Sequence, residues 1–310
     1  MRIIEPSVTI LDELDQQSLP VRIEFCGRIC YKSEHRIDGE SAIPFVRRMA
    51  EHGHNSVLEM GVTTFHLFSP TRELIDDFFF HQPKFLHIDR LGATELLVTG
   101  SVRAFIEMAM QHSEDAVAMA MVQRLKTDHP YFFETRTIPP CPQATAVSLR
   151  KVPLAEIEQL PQQQLGRHRF LAVKFIVNRA VTHELVRHRP CTFLQESQRY
   201  CRYSADKFGN EVTFIKPLFF DEASPEYAIW KQSMEAMEEQ YLRLLLTTTP
   251  QAARTVLPNS CKTEIIVYAN LAEWKHILAL RTSAAAEPSM REVMIPLHEQ
   301  LHHRYPSLFL

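Results

Sequence analysis

The apolar positions in the first part of the chain predict two helices and one strand. Residues 41–51 have apolar side chains at intervals of three, which predicts a helix that ends at Gly53. Residues 21–31 are predicted to form an earlier helix. Residues 61–68 are rich in residues that favour strands, so we expect a strand there that contributes to the core.

Residues 69–165 carry weaker signals. Residues 96–98 are predicted as a strand and residues 101–111 as a helix. Prolines crowd the end of the stretch: Pro139, Pro140, Pro142, Pro153 and Pro161. This clustering predicts a loop-rich surface insertion or a linker. No internal repeat of useful length is visible in the sequence.

The second half of the chain has clearer periodicity. Residues 170–178 alternate between two faces, which predicts a strand. One face is predicted to be buried, and it carries Leu171, Val173, Phe175 and Val177. A short helix at residues 180–187 and another strand at residues 265–269 are also predicted.

Two helix starts are marked by capping residues. Ser224 followed by Pro225 is typical of a helix start. Apolar side chains then recur at steps of three and four over residues 227–245, which predicts a stripe in the core or at a subunit interface. Asn270 and Glu273 resemble a capping pair that opens a helix extending through residue 281. Helix-rich regions around a few strands predict the α+β class.

Composition excludes several functional classes. The chain has 310 residues and a net charge of -3, which argues against broad non-specific binding of nucleic acid. No stretch approaches the ~20 apolar residues that a membrane span needs. The first residues include acids where a signal peptide would be apolar, so we expect a cytoplasmic protein.

Cysteine and glycine usage narrow the chemistry further. The six cysteines are scattered, which is typical of reduced cytosolic thiols, and their spacing does not predict a zinc site. The eight glycines include no GxG pair, so dinucleotide-binding fingerprints and phosphate-binding glycine loops are both absent. A nucleotide phosphate would therefore be bound by arginines or by helix ends.

The densest cluster of reactive side chains lies at residues 187–200. Arg187, His188 and Arg189 are followed, after seven residues, by Ser197. Arginines suit a phosphate, and the glutamines and aromatic residues of this segment suit a planar ring. Ser197 is predicted to bind phosphate rather than act as a nucleophile, because nothing nearby in sequence supplies its base. Taken alone, the cluster is also compatible with a solvated basic surface.

The spacing distinguishes this triplet from a second one. Residues 167–169 are also Arg-His-Arg, but Val177 stands where the serine would be, so the triplet alone has little specificity. Four further segments support the interpretation of the first triplet as part of a functional site. In chain order they are residues 54–59, 253–258, 270–281 and 290–292. Together with the Arg-His-Arg, seven-residue, Ser spacing, these segments resemble the flavin-dependent thymidylate synthase (ThyX) family.

The resemblance implies a fold and an activity. The fold would be a ThyX-like α+β fold, with helices packed around a small, mostly antiparallel sheet. It would form a single domain over residues 1–310, with a family-variable insertion at about 69–165. The implied reaction converts dUMP to dTMP, with 5,10-methylenetetrahydrofolate as carbon donor and NADPH-reduced FAD as hydride donor. The family forms homotetramers that share active sites between subunits.

The resemblance also implies roles for individual residues, with no resident metal ion. Non-covalent FAD would be bound by His54, Ser56, Glu59, Arg187, His188, Arg189, Gln195, Asn270 and His276. The dUMP site would consist of Glu184, Arg187, Gln195, Glu196, Ser197, Gln198, Arg199, Arg254 and Arg281. Arg281 would be catalytic, because a guanidinium cannot act as a base but can stabilise negative charge that develops on the uracil ring.

Several positions depart from the common pattern of the family: Met60, Glu184, Leu194, Gln195, Ala285 and Glu287. An acid such as Glu184 near the nucleotide would repel phosphate unless an arginine pairs with it. These departures leave open a catalytically impaired relative that still binds nucleotide or flavin. A metal-dependent hydrolase is a third alternative, suggested by the fifteen histidines, but the spacing of metal-dependent hydrolases is absent and interleaved arginines would repel a cation.

Overall fold

The computed structural model describes residues 1–205 and 208–310. The strands are β1 (Arg2–Ile4), β2 (Ser7–Ile10), β3 (Val62–Phe68), β4 (Leu86–Arg90), β5 (Glu95–Ser101), β6 (Ser148–Lys151), β7 (Phe170–Asn178), β8 (Thr192–Gln195), β9 (Thr213–Ile215) and β10 (Lys262–Asn270). The α-helices are α1 (Leu19–Arg28), α2 (Ala42–Glu51), α3 (Asn55–Leu58), α4 (Arg72–Phe80), α5 (Val102–Gln111), α6 (Ala116–Asp128), α7 (Leu154–Ile157), α8 (Gln162–His168), α9 (Arg179–Leu185), α10 (Pro225–Leu244), α11 (Pro250–Ala253), α12 (Leu271–Arg281) and α13 (Pro288–Arg304). Across the described residues, no helix combines the length and apolar character that spanning a membrane requires.

The α+β class is confirmed, with two four-stranded sheets where a single small sheet was predicted. One sheet has the order β4-β5-β3-β6 and the other the order β8-β10-β7-β2, and every pairing in both is antiparallel. A short parallel pair, β1 with β9, forms a separate two-stranded sheet, which is bridged to the start of β10 through Phe214 and Cys261.

The clearest local predictions are confirmed. Helix α2 ends just before Gly53, whose φ of 69° is a conformation that glycine adopts readily. Helix α10 begins at Pro225, and Ser224 Oγ accepts a hydrogen bond from the Tyr227 amide at 3.1 Å. The predicted stripe of α10 lies in a core, because Met234 and Tyr241 are buried.

Strand β7 has apolar packing on both faces. The face predicted to be buried packs against α12 and α13, around the fully buried Trp274. The opposite face contributes Ala172 to the largest core, together with Tyr268 of β10 and the helices that precede β6. The second sheet is therefore covered on both sides, and one core continues into the first half of the chain.

The prediction that the end of residues 69–165 is a loop-rich surface segment is wrong about its exposure. Residues 133–147 are mostly irregular, as the prolines indicate, but Cys141, Ala144 and Val147 are buried in the largest core. The earlier part of the stretch supplies strands β4 and β5 and the buried helices α5 and α6. The division of residues 1–310 into a single domain stays a prediction.

The structure contains an internal repeat that the sequence does not reveal. The same order of elements occurs twice along the chain: strand, helix, strand, strand, helix, helix. The first copy is β3-α4-β4-β5-α5-α6 and the second copy is β7-α9-β8-β10-α12-α13, and each supplies three strands of one four-stranded sheet. The second copy has β9, α10 and α11 inserted before its third strand. We call the first copy the amino-terminal unit and the second copy the carboxyl-terminal unit. Strand order and direction agree between the units, whereas residue identities do not, which explains why no repeat was visible.

Capping chemistry is shared between the two units. Ser101 ends β5 and caps α5 by accepting a hydrogen bond from the Ala104 amide at 3.1 Å. Asn270 ends β10 and caps α12 in the same way, with the Glu273 amide at 2.8 Å. The predicted capping at Asn270 is thus confirmed, and each unit joins its third strand directly to a helix.

The second Arg-His-Arg triplet has a structural role between the units. Arg167 pairs with Asp89 of β4 at 2.8 Å, and His168 Nε2 lies 3.1 Å from the same carboxylate. The other ring nitrogen of His168 lies 2.7 Å from the Thr99 hydroxyl of β5. Arg169 is buried against Asp15 and Glu158. These contacts attach the amino-terminal sheet to the start of β7.

Candidate functional site

Two adjoining clefts are lined by eight of the sixteen predicted site residues. The first, which we call the serine cleft, has a volume of about 510 Å³ and is lined by His54, Ser56, Gln195, Ser197 and Arg199, among others. The second, which we call the aromatic cleft, has a volume of about 750 Å³. Both clefts are lined by Arg103 and Phe193, so these two side chains form the boundary between them.

The serine cleft is built on the end of β8. After Gln195 the chain continues as an extended segment, because the Glu196 amide donates to the Glu264 carbonyl at 2.8 Å. The Ser197 amide donates to the Cys30 carbonyl at 3.1 Å, which attaches the segment to the end of the first helix. The Arg199 amide then donates to Ser197 Oγ at 3.3 Å. This sequence of contacts presents a hydroxyl and a guanidinium on the same side of the cleft.

The segment after β8 is held in place by a buried network of charged side chains. Lys262 lies between two carboxylates, at 2.8 Å from Glu196 and 2.5 Å from Glu264. Lys32 contacts Glu264 at 3.0 Å, and the Tyr203 hydroxyl donates to Glu196 at 2.8 Å. Burial raises the pKa of Glu264, but Lys262 and Lys32 outweigh it and lower the pKa to about 2. Glu196 therefore binds the internal Lys262, so its role is to position the Ser197 segment.

Another part of the serine cleft's lining comes from the turn after α2. Gly53 and His54 precede the short helix α3, and His54 Nδ1 lies 3.0 Å from the Tyr31 hydroxyl. The Tyr31 ring lies against Tyr200, with centroids 5.2 Å apart. The turn after α2 is thus connected through Tyr31 to Tyr200 of the Ser197 segment.

The aromatic cleft lies at the junction of the two units. Phe85 and His87 come from β4 and the turn before it, whereas Phe170, Phe193 and Tyr268 come from the carboxyl-terminal sheet. Burial lowers the pKa of His87 to about 4, with further contributions from His168 and Arg167, so the ring is neutral at pH 7. The cleft therefore offers aromatic and uncharged side chains that suit stacking of a planar ring, beside the charged side chains of Glu59, Arg103, Glu107 and Arg189.

A set of ion pairs centred on Arg103 lies at the boundary between the two clefts. Arg103 of α5 pairs with Glu59 at 2.6 Å and with Glu107 at 2.6 Å. The Thr192 hydroxyl donates to the other oxygen of Glu59 at 3.3 Å. Glu59 of the first motif is thus connected to both units.

Arg281 is held at the end of α12 by residues of the triplet region. Its Nε donates to His188 Nε2 at 2.9 Å, and its guanidinium pairs with the Glu184 carboxylate at 2.6 Å. A third hydrogen bond goes to the Glu184 backbone carbonyl at 3.2 Å. Burial, with Arg281 and His276 nearby, lowers the pKa of His188 to about 4, which keeps the ring neutral and able to accept.

Comparison with known proteins concerns mainly the second half of the chain. Residues 159–307 match the family model described as "Thymidylate synthase complementing protein" (Thy1). The match covers slightly less than half of the chain, and we call residues 159–307 the Thy1 region.

The relatives found by sequence are flavin-dependent thymidylate synthases. The one from Corynebacterium efficiens is 32% identical over 143 residues, which cover 43% of this chain and 57% of that protein. The one from Pyrococcus furiosus is 36% identical over 128 residues, which cover 41% and 52%. The chain thus spans about half the length of the curated relatives that it matches.

Solved structures similar to this one include a UMP/dUMP methylase PolB from Streptomyces cacaoi bound with 5-Br dUMP. The alignment covers 100% of this chain and 95% of that chain, with 14% identity and a TM-score of 0.42. The same enzyme bound with 5-Br UMP covers 50% and 80%, with 21% identity and a TM-score of 0.40.

Eight predicted site residues, all in the Thy1 region, lie outside both clefts: Glu184, Arg187, Glu196, Gln198, Arg254, Asn270, His276 and Arg281. Arg187 is exposed, and Arg254 lies half-buried on a turn after α11. Gln198 is buried, and its Nε2 atom has no hydrogen-bond partner among the described residues. Asn270 is buried at its cap, with Nδ2 3.3 Å from His87 Nδ1, and His276 is exposed 6.2 Å from the His188 ring.

Several residues of the clefts lie outside the Thy1 region and were not predicted. Arg103, Glu107, Phe85 and His87 all come from the amino-terminal unit. Their sequence neighbourhood offered only the predicted strand at residues 96–98 and the predicted helix at residues 101–111. The remaining residues reach the cleft through the pairing of β4 with β5, which no local pattern encodes.

Proposed function

We propose that the protein is a flavin-dependent thymidylate synthase that converts dUMP to dTMP. The observation that carries the proposal is the meeting of the two clefts at Phe193 and Arg103, with residues of the family motifs on their walls. One cleft offers polar and cationic groups for a nucleotide, and the other offers stacked aromatic walls for a planar cofactor. The two ligands would therefore lie side by side.

The dUMP phosphate would bind at the serine cleft. Ser197 donates a hydroxyl hydrogen bond, and Arg199 supplies a guanidinium that suits phosphate geometry. Gln195 is positioned by the hydroxyls of Thr182 and Thr263, at 3.0 Å and 3.2 Å from its Nε2. Its carbonyl oxygen would accept a hydrogen bond from the uracil ring. Glu184, Glu196, Gln198, Arg187 and Arg254 complete the proposed set of substrate-binding or positioning residues.

The flavin ring would bind in the aromatic cleft. The size of the cleft fits a cofactor, because its volume of about 750 Å³ lies within the ~300–1,000 Å³ typical of small-molecule sites. Phe170 and Tyr268 offer apolar walls, and Arg189 offers positive charge for the pyrophosphate, whereas Arg103 is already paired with Glu59 and Glu107. The remaining proposed FAD residues are His54, Ser56, Glu59, Arg187, His188, Gln195, Asn270 and His276. When bound, reduced FAD supplies the hydride that completes the methyl group.

Arg281 lines neither cleft, but it is bonded to His188 on the wall of the aromatic cleft, and from there it would stabilise negative charge on the uracil ring. A guanidinium has five N–H donors, and Arg281 uses three of them, on His188 and Glu184. Two N–H groups therefore remain, to which no described residue is bound, and they are available to a substrate oxygen or nitrogen. Glu184 and His188 fix the orientation of the guanidinium, which is the condition for electrostatic preorganisation.

The same proposal assigns the other participants. NADPH would reduce the flavin, and 5,10-methylenetetrahydrofolate would supply the carbon. The protein would act as a homotetramer, so that Arg187 and Arg254, which lie outside both clefts of one chain, could serve the site of a neighbouring subunit. The competing proposal is a catalytically impaired relative, for which the departures at Met60, Ala285 and Glu287 are the specific observations.

An anaerobic turnover assay distinguishes these proposals. Purified protein, dUMP, NADPH and 5,10-methylenetetrahydrofolate are mixed without oxygen, and dTMP is measured by chromatography. We expect yellow protein, dTMP formation in the wild type, and flavin retention without dTMP in Arg281→Ala. Colourless protein that binds dUMP but makes no dTMP, even after reconstitution with FAD, would support the impaired relative instead.

A further inference from the structure

The amino-terminal unit brings three potential metal ligands together outside both clefts. His81, the first residue after α4, has its Nε2 atom 3.6 Å from Glu114 Oε1. His112, the first residue after α5, has its Nδ1 atom 3.7 Å from the same oxygen. One ligand atom from each of the three residues lies within 4.8 Å of the others. The two imidazole rings stack with their centroids 4.2 Å apart.

A buried carboxylate orients one of these histidines. Asp115 Oδ2 lies 2.8 Å from His81 Nδ1, and its other oxygen accepts the Ala118 amide at 2.8 Å to cap α6. Asp115 is 4% exposed and fixed by that cap, so it favours the tautomer in which Nδ1 of His81 carries the proton. The Nε2 lone pair then remains available on the side of Glu114. Carboxylates orient metal-bound histidines in this manner.

The position of the cluster corresponds to that of Arg281 in the other unit. Counted from the capping residue, His112 and Arg281 both lie eleven residues along, after Ser101 and Asn270 respectively. His81 precedes a proline by two positions after α4, as His188 does after α9. Where the carboxyl-terminal unit has a guanidinium against an imidazole, the amino-terminal unit has two imidazoles. The replacement exchanges a fixed positive charge for a potential ligand.

A second cluster is a poorer candidate for a cation. His188, Glu273 and His276 also offer three ligand atoms within 4.8 Å of one another. However, Arg281 Nε donates to His188 Nε2 at 2.9 Å, which occupies the lone pair that a metal would need. The guanidinium would also repel a divalent ion.

We propose that His81, His112 and Glu114 bind a divalent transition-metal ion, with Zn²⁺ the best match and water as the fourth ligand. Two imidazoles and a carboxylate are a donor set that suits Zn²⁺. Ligand distances of about 2.0–2.1 Å imply ligand-to-ligand separations of roughly 3.3 Å in a tetrahedral site. The two histidine-to-Glu114 distances are within a few tenths of an ångström of that value. Rotation of the half-buried His112 ring would bring its nitrogen toward that of His81.

The ion would connect the ends of α4 and α5 to the start of α6. The test uses the full-length protein, stripped with a chelator and then titrated with Zn²⁺ in competition with a chromogenic chelator. Co²⁺ serves as a second probe, because its visible absorption reports tetrahedral coordination. We expect one tightly bound Zn²⁺ per chain, which His81→Ala abolishes. Asp115→Asn should lower the affinity about 10–100-fold, as loss of an orienting carboxylate does elsewhere.

Control variants separate this site from other histidines. Glu114→Gln changes a side chain that is 68% exposed, so the protein should fold normally and bind Zn²⁺ at least about tenfold more weakly. His298→Ala removes one member of a histidine pair on α13, whose rings lie 6.4 Å apart, and should leave Zn²⁺ binding unchanged. The proposal is overturned if the wild type binds no Zn²⁺. It is equally overturned if Glu114→Gln binds as tightly as the wild type, or if binding is lost in His298→Ala or Glu273→Gln instead.

Discussion

The buried carboxylate of Glu264 provides a quantitative test of the charge network below the serine cleft. Glu264 is 8% exposed, and Lys262 and Lys32 contact it at 2.5 Å and 3.0 Å. Burial raises its pKa, but the two lysines outweigh burial and lower the pKa from 4.5 to about 2. Each pKa unit corresponds to about 1.4 kcal/mol, so the ionised form contributes about 3 kcal/mol to stability at neutral pH.

We therefore expect Glu264→Gln to lower the free energy of unfolding by about 2–3 kcal/mol at pH 7. The pH dependence has a definite sign, because the pKa of Glu264 is lower in the folded state than in the unfolded state. The stabilisation is fully present above pH 4.5 and is lost as pH falls from there toward 2. The difference between wild type and variant should consequently shrink over that interval.

Urea denaturation followed by circular dichroism, repeated at several pH values from 7 downward, measures this difference. The control is Glu239→Gln, because Glu239 and Arg243 are exposed on α10 and lie 3.8 Å apart. An exposed pair of this kind contributes about 0–1 kcal/mol, so the control should change little. If Glu264→Gln behaves like the control at pH 7, or if its effect is independent of pH, the inferred role of the network is wrong.

Four further predictions concern the site, the core and assembly. Glu184→Gln removes the 2.6 Å ion pair with Arg281, and we expect kcat for dTMP formation to fall about tenfold with a smaller change in dUMP affinity, measured by steady-state kinetics. Trp274→Ala empties a fully buried position and should destabilise the fold by about 3–5 kcal/mol in urea denaturation; a loss below about 1 kcal/mol would contradict the packing. Gly100→Ala would place Cβ 2.4 Å from Leu86 Cδ2, so we expect a loss of about 1–3 kcal/mol, visible as a lower Tm. Light scattering should give four times the chain mass; twice that mass would indicate that two chains, each with two units, supply the whole assembly.

Local signals were sufficient for the elements whose residues determine their own conformation. Strand β7 alternates because its side chains point to opposite faces, and α10 begins where Ser224 and Pro225 satisfy its first turn. The motif residues could be found for a similar reason. Chemistry restricts which residue types serve a phosphate, and the spacing of Ser197 from the Arg-His-Arg triplet resembles a known family, so Ser197 and Arg199 could be singled out before any fold was known.

The other half of the candidate site depends on contacts between distant segments. Arg103 and His87 reach the aromatic cleft because β4 and β5 pair with each other and because the two units share a core. Nothing in the residues around His87 indicates that its partner is Asn270, 183 positions away. Glu184 illustrates a partial success, since the sequence showed that an acid there would need an arginine but not that Arg281 supplies it.

The internal repeat explains what the fold requires and what it leaves free to vary. Each unit needs an oxygen at the end of its third strand to cap the next helix, and Ser101 and Asn270 both provide one without being the same residue. The sheets need apolar side chains of suitable volume rather than particular identities. The positions at the ends of α5 and α12 need neither a capping oxygen nor a particular apolar volume. One unit therefore has Arg281 at the position where the other has His112. A common framework with different chemistry at equivalent positions is the outcome expected when functional sites are determined by a few side chains. It also accounts for a structural repeat that is clear in the strand order and absent from the sequence.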